Sequence, residues 1–561
     1  MKKTRNIFLA GAASVMLFAS CSKKLDEAYA NPNAPTRVPV ETILPGLIGN
    51  FLGNSAAAGS GYGLGGDGLI IGRYIQYWGD YTSGSANDQY DRMGGAIGAS
   101  DAMGSIWAAH YFGMGQNLNR MVEWANEEQK WDFVGAGWAI RAWSMLEATN
   151  EYGDIILKEA FNTNLQTFKY DPQPEVYDSV RVIAFRALDY FSRTDGHMDP
   201  TVFGNADAYF LGGNISKWKK FIYGIIARSY GYMSNVTGYN ADSVIKYADL
   251  AMTQNTDNAY LKFANTGISG TSNYFGPLRS NVGGLRQGSY IADLMSGANT
   301  AMFTGVFDPR APYMLRENAA DTYRGIIPWR GATISTSTNP PSITTPAQST
   351  NGPLAINEHP DNFWGNTYTL TTAPSSDKGR YLFRNGVDFP IMTASEMQFL
   401  KAEAAYRKGD KATALTAYTN AISMNIDMLT SVYSFNVPAG KQITAGAKAT
   451  YLASPAIVPS AAGLTMSHIM LQKYIALFGW GPQETWVDMR RFHYTDSEGG
   501  KQVYANFTPP TATELYVNNN QKLVYRARPR YNSEYLYNIP ELDRIGALAL
   551  DYHTLPTWFA K

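Results

Sequence analysis

Between Met392 and Asp427 the chain reads MTASEMQFLKAEAAYRKGDKATALTAYTNAISMNID, and no other stretch restricts the possible folds as strongly. Thr393 to Glu396 forms the T-x-x-E pattern in which hydroxyl and carboxylate each satisfy an orphan amide at a helix start. Met397, Leu400 and Ala404 then recur at helical spacing, and Gly409 supplies a left-handed stop. Ala414, Leu415, Tyr418, Ala421 and Ile422 mark the apolar face of a second helix. The spacing predicts two helices of about 16 residues, antiparallel across Lys408-Gly409-Asp410, with facing alanines that let the axes approach as in a tetratricopeptide unit. An ordinary hairpin of another all-α fold is the alternative on this stretch alone.

Further helical pairs have the same signature. Ser105 to Glu127 places Trp107, Tyr111, Leu118 and Val122 on one face, and Trp131 to Asn150 returns with Trp138, Ala142 and Leu146. Tyr170 to Phe191 and Ile215 to Val236 form the next pair, and Leu464 to Arg491 reads as two helices broken at Gly479 to Pro482. Glu484, Asp488, Arg490 and Arg491 read as a charged network locking the last helices, and Asp154 as a turn carboxylate. From about Asn255 to Asp388 the periodicity collapses, and Gly331 to Pro353 is rich in Pro, Ser and Thr, the composition of a mobile surface loop. Loops this long in compact proteins are functional or disordered.

Lys2, Lys3 and Arg5 precede an apolar run from Ile7 to Ala19 that is too short for a membrane span, so residues 1–20 read as a removable targeting segment. Cys21, the chain's single cysteine, follows directly, at the position where a bacterial lipoprotein receives its lipid. Ser22 to Val38 then reads as a flexible tether. One cysteine excludes an intramolecular disulfide. With 47 basic and 47 acidic residues, the chain lacks the charge footprint of a nucleic-acid binder. Gly61-x-Gly63-x-x-Gly66 matches a dinucleotide fingerprint only formally, because no strand pattern precedes it, and a flexible loop is the better reading. The six histidines are scattered, and neither H-E-x-x-H nor G-x-S-x-G occurs, so catalytic motifs are absent and no cofactor is expected. No D-x-[DN]-x-[DN]-G loop supports a calcium site, which leaves structural calcium as a bare possibility.

Thirty-seven Tyr, 12 Trp and 25 Phe exceed what a helical core requires, which places some rings at a surface. Tyr74 to Arg92, YIQYWGDYTSGSANDQYDR, interleaves rings with short hydrogen-bonding side chains. That mixture suits a sugar, whose C–H face stacks while its hydroxyls need donors and acceptors. Trp78, Tyr81, Asn87, Asp88 and Tyr90 are the ligand-binding candidates here. Trp329, Phe363 and Trp364 join them from the irregular middle region. The competing reading makes Tyr74, Tyr77 and Trp78 a buried core face.

The stretch T-A-S-E-M-Q-F-L-K-A-E-A-A-Y-R-K-G-D resembles a motif of the SusD/RagB-like outer-membrane lipoproteins of Bacteroidetes, and other segments are similar to the same family. They are Asn31-Pro-Asn-Ala-Pro-Thr36, Tyr152-Gly-Asp-Ile155 (with Ile156 where proline is usual), and Trp218-Lys-Lys-Phe221 with Arg228. Gln472 to Arg491 (Q-K-Y-I-A-L-F…E-x-W-x-D-x-R-R) and Arg528 to Asn538 complete the set. The resemblance implies an all-α, tetratricopeptide-containing SusD-like fold over 39–561, with helical repeats at about 105–254 and 392–491 and a loop-rich ligand region at about 255–388. It further implies a surface-exposed, lipid-anchored binding protein, not an enzyme, that captures a glycan and passes it to a TonB-dependent, SusC-like transporter in the outer membrane. Peptide binding, as in RagB-like members, is the first rival, followed by a surface glycosidase and a ligand-free tetratricopeptide scaffold. An acidic or basic cleft would favour peptides, and an exposed aromatic platform a glycan.

Overall fold

A computed structural model describes residues 37–53, 62–81, 87–97, 100–335, 337, 342–366 and 378–561. Cys21, the targeting segment and nearly all of the tether lie outside the described residues. The principal helices are α1 (Leu64–Tyr74), α2 (Gly115–Glu127), α3 (Trp131–Tyr152), α4 (Gln173–Tyr190) and α5 (Ile215–Gly231). They continue with α6 (Ala241–Leu250), α7 (Ala394–Arg407), α8 (Lys411–Val432), α9 (Met466–Ala476) and α10 (Pro482–Arg491). From α2 to α8 each helix packs on the next, and α7 also packs on α9. Within α3 only Trp138 escapes full burial, the condition of a helix that is enclosed on all sides.

The α7–α8 hairpin turns at Lys408-Gly409-Asp410 as its sequence predicts. Gly409 adopts φ +85°, and Asp410 caps α8 by accepting from the Thr413 amide at 3.0 Å. Met397, Leu400, Ala404, Ala414, Tyr418, Ala421 and Ile422 are all buried. The capping box closes from one side only. Thr393 Oγ1 accepts from the Glu396 amide at 3.2 Å, but the Glu396 carboxylate takes Arg228 Nε at 2.7 Å instead of its own helix start.

Two short antiparallel ladders organise the irregular middle region. β1 (Trp78–Asp80) pairs with β3 (Leu285–Gln287), and β2 (Ala259–Lys262) pairs with β4 (Asp388–Met392), which leads straight into the Thr393 cap. The middle region is therefore a loop whose two ends are zipped together beside the helices. Within Gly331 to Pro353 the chain forms strand pairs, Thr333–Ser335 with Ser342–Thr345 and Gln348–Ser349 with Gly352–Pro353. β-Branched residues such as Thr333, Ile334, Ile343 and Thr344 favour that pairing. Of the glycine-rich stretch, Leu64 to Gly68 forms the start of α1 and not a loop.

Buried ion pairs tie the layers together. Arg491 meets Glu403 and Asp488, both at 2.6 Å, and Lys473 reaches Asp488 at 2.7 Å. Arg490 stands apart from this network. Its guanidinium lies 3.8 Å from the Trp486 ring centroid and donates to the Tyr525 carbonyl. Burial lowers its pKa to about 10.

Candidate functional site

Five of the rings expected to bind a ligand are buried, which overturns their reading as a platform. Trp78 and Trp364 have no exposed surface, and Phe363 has 1%. These three belong to one aromatic cluster. Trp78 meets Phe363 edge-on at 6.4 Å, Phe363 stacks on Phe383 at 4.0 Å, and Trp364 donates to the Phe275 carbonyl. Tyr81 is enclosed by Ile326, Ala332, Ala347 and Leu354, and Tyr90 is buried beside Tyr74 at 6.1 Å. A ring with neither face open cannot stack on a sugar. Trp329 is half-buried against the core. Asn87 and Asp88 lie in a 3₁₀ turn, Asn87–Arg92, and their side chains lie outside the described residues. Asp154 has the structural role expected of it, accepting from the Gln173 amide at the start of α4.

An accessible aromatic site exists elsewhere in the middle region. A cavity of about 530 Å³ opens between the 296–323 segment and the loop that follows α8, lined by Phe307, Tyr323, Asp321, Thr322, Lys441 and Gln442 among others. Its size lies within the usual 300–1,000 Å³ of ligand pockets. The Phe307 and Tyr323 rings sit 5.7 Å apart at 46°, and Phe307 is 47% exposed.

Local sequence explains why Phe307 remains at the surface. The next residue, Asp308, is anchored in the core, where it pairs with Arg310 at 2.6 Å and accepts from the Tyr451 hydroxyl at 2.7 Å. Arg310 in turn donates to Asn425 of α8 and Gln472 of α9. Asp-Pro-Arg is thus a peg driven into the helical layer, with Phe307 on its outer side.

The walls of the cavity are electrically balanced. Lys441 pairs with Asp321 and lies 5.7 Å from the Tyr323 ring centroid. Deeper in the same region Arg380 grips Glu317 through two bonds of 2.7 and 2.6 Å. Burial pushes the Glu317 carboxyl up, but the Arg380 guanidinium more than reverses this and leaves it at about 2. Burial also raises the Tyr323 phenol. Its hydroxyl has no hydrogen-bond partner among the described residues, and a buried hydroxyl in that state gains from a ligand group that pairs with it. Among the described residues the carboxylate that lines this cavity is Asp321, which is paired with Lys441. Among the described residues no group of three or more His, Cys, Asp or Glu is placed to hold a metal ion.

Sequence reasoning passed over Phe307, Lys441 and Gln442 as site residues. The usable signal was Asp308-Pro309-Arg310, a peg motif that forces its neighbour outward.

The family profile described as "Starch-binding associating with outer membrane" matches residues 65–510. The chain belongs to the SusD-like family. No curated protein sequence matches this SusD-like chain. Solved structures share its fold. A SusD homologue from Bacteroides fragilis aligns over 93% of this chain and 100% of its own, with TM-score 0.64 and 19% identity. A SusD/RagB family protein from Bacteroides thetaiotaomicron aligns over 93% and 99%, with TM-score 0.61 and 18% identity. A chitin-binding SusD homologue from Flavobacterium johnsoniae aligns over 93% and 98%, with TM-score 0.59 and 16% identity. At these identities the likeness concerns the fold. The SusD-like chain is therefore a member of a glycan-binding family associated with the outer membrane, and none of its described helices is long and apolar enough to cross a membrane.

Proposed function

We propose that this SusD-like protein captures an oligosaccharide in the Phe307/Tyr323 cavity and delivers it to a TonB-dependent, SusC-like transporter, from a lipid anchor on Cys21 at the cell surface. The observation that carries the ligand class is the cavity's composition, an exposed ring beside a second ring, with Ser296, Thr322 and Gln442 offering hydrogen bonds among apolar neighbours. Its one close charge pair, Asp321 with Lys441, leaves no net charge to select an acidic or basic peptide, so a neutral glycan fits better than the RagB-like alternative. Binding and not hydrolysis is the activity proposed, in keeping with the starch-binding description of the family.

A glycan array that includes starch and chitin fragments, probed with the soluble domain, should yield a ligand. Phe307→Ala should then weaken binding by about five- to 150-fold, taking about 1–3 kcal/mol for one ring stacked on a nucleic-acid base as the nearest analogue. Its melting temperature should stay near wild type, because Phe307 packs little. Unchanged affinity in Phe307→Ala and Tyr323→Ala would place the glycan elsewhere.

Anchoring and delivery are tested together in membranes of the producing organism. Wild-type protein should remain in the membrane fraction and co-purify with a large β-barrel protein, since outer-membrane pores are closed barrels and this fold is helical. Cys21→Ala should move to the soluble fraction still folded. Membrane retention of Cys21→Ala, or a purified complex without a barrel protein, would contradict the anchor or the partner respectively.

A further inference from the structure

A second cavity, of about 520 Å³, lies where the first helical hairpin meets the C-terminal segment. Its walls are mainly aromatic, with Tyr62, Trp107, Tyr111, Phe112, Phe161 and Phe168 contributing. The sequence predicts one continuous helix from Ser105 to Glu127, but the structure inserts a π-helical turn, Ala109–Met114, ahead of α2. Such turns are uncommon and occur frequently at functional sites. This one carries Phe112 outward until it is 74% exposed, with Tyr62 edge-on at 5.6 Å.

A neighbouring part of the wall holds a rare backbone conformation as well. Phe161 sits at φ +66°, a left-handed conformation that costs a non-glycine residue of order 1 kcal/mol or more and that clusters at ligand clamps. It is held there by Gln116, whose Nε2 donates to the Phe161 carbonyl at 3.0 Å, and by the Arg141 guanidinium 4.3 Å from its ring centroid. The two distortions meet, since the Phe161 ring lies 6.0 Å from Tyr111 and 6.2 Å from His110 of the π-turn, and each delivers a ring to the same cavity.

The charges around the cavity do not cancel. Arg530 is tied to Asp101 at 2.8 Å. Glu534 accepts from Tyr170 and Asn538, both at 2.9 Å, and its burial raises the carboxyl toward the neutral form. Arg141 is different. It is 6% exposed, forms no ion pair among the described residues, and its Nη1 has no hydrogen-bond partner there. A buried cation without a counter-ion behind the cavity wall attracts negative charge to the cavity in front of it.

We propose that this aromatic cavity is a second binding site, independent of the glycan cavity, for a small aromatic molecule that carries an acidic group. The rings of the π-turn and of Phe161 clasp the ligand's ring, and the unpaired charge of Arg141 draws its acid.

The probe is 8-anilinonaphthalene-1-sulfonate, compared with N-phenyl-1-naphthylamine, which keeps the ring system without the sulfonate. The sulfonate should bind the full-length folded protein at one site, at least several-fold more tightly than the amine. Phe112→Ser, a change at an exposed position, should lower sulfonate affinity at least tenfold without shifting the melting temperature. Phe161→Asn, which keeps a residue tolerant of φ above zero, should lower it as well. Val517→Asp, at an exposed apolar residue outside both cavities, should leave it unchanged. Sulfonate binding that survives both Phe112→Ser and Phe161→Asn, or that falls equally in Val517→Asp, would overturn the site. Equal affinity for the two probes would overturn the assignment of an acidic ligand.

Discussion

Arg228→Met is expected to lower the unfolding free energy by about 3–5 kcal/mol, the range for removing one partner of a buried ion pair. Arg228 sits on α5 with 1% of its surface exposed. It meets Glu396 of α7 at 2.7 Å, Glu484 of α10 at 2.7 Å and Glu147 of α3 at 3.1 Å. It also donates to the Ile391 carbonyl on β4 at 3.0 Å. One guanidinium therefore holds three helices and the closing strand of the middle region. Burial and the neighbouring Glu484 charge already push the Glu147 carboxyl well up, so this group leans toward its neutral form even with Arg228 present. Removing Arg228 leaves Glu396 and Glu484 buried without their cation. They must then take up protons or open the core to water. Urea unfolding should show the loss, and Arg228→Met combined with Glu396→Gln and Glu484→Gln should recover part of it, because a neutral cluster costs less to bury than stranded carboxylates. Arg228→Lys should not rescue, since one ammonium cannot span a fork that bonds Glu396 through Nε and Nη2 together. A loss below about 1 kcal/mol for Arg228→Met would mean that the network is not what joins these layers.

The helical frame was legible because burial imprints a period on it. Met397, Leu400, Ala404 and Tyr418 repeat at the helical interval, and Gly409 marks the turn with a conformation that other residues avoid. The charged residues of α10 announced a network, yet the sequence could not show that Glu396 would leave its own helix start for an arginine 168 positions away. Nor could it show that Arg490 would stack on Trp486 while Arg491 took the carboxylates. Ligand-binding rings were harder still. A tyrosine or tryptophan beside serine and asparagine reads the same whether its face meets a sugar or a phenylalanine, because periodicity is lost in irregular segments. Trp78 and Trp364 look like platform residues in the sequence and are core residues in the fold. Phe307 and Phe112 carry no distinguishing signal in the sequence and stand exposed. What separates them is the Asp308 peg, whose distant partners turn Phe307 outward, and a local π-turn that does the same for Phe112.

Trp78→Ala is the substitution that discriminates between these readings most sharply, with an expected stability loss of about 3–5 kcal/mol. The indole is fully buried, its Nε1 donates to the Leu69 carbonyl at 2.9 Å, and its six-membered ring lies directly against Gly72 of α1. A Cβ on Gly72 would come within 2.2 Å of Trp78 Cζ2. Glycine is present there to admit the ring, at a helix-propensity cost of about 1 kcal/mol relative to alanine. The two positions should therefore be strongly coupled. In the wild-type background Gly72→Ala forces the indole aside and should destabilise by about 1–3 kcal/mol, as overpacking does. In the Trp78→Ala background the same change meets a cavity, fills part of it and improves the helix, so it should stabilise by roughly 1 kcal/mol. The reversal of sign is the signature of core packing, and a double-mutant cycle in urea measures it. Glycan affinity of the folded Trp78→Ala protein should change less than that of Phe307→Ala. A Trp78→Ala variant with wild-type stability and much weaker glycan binding would restore Trp78 to the binding surface and remove Phe307 from it.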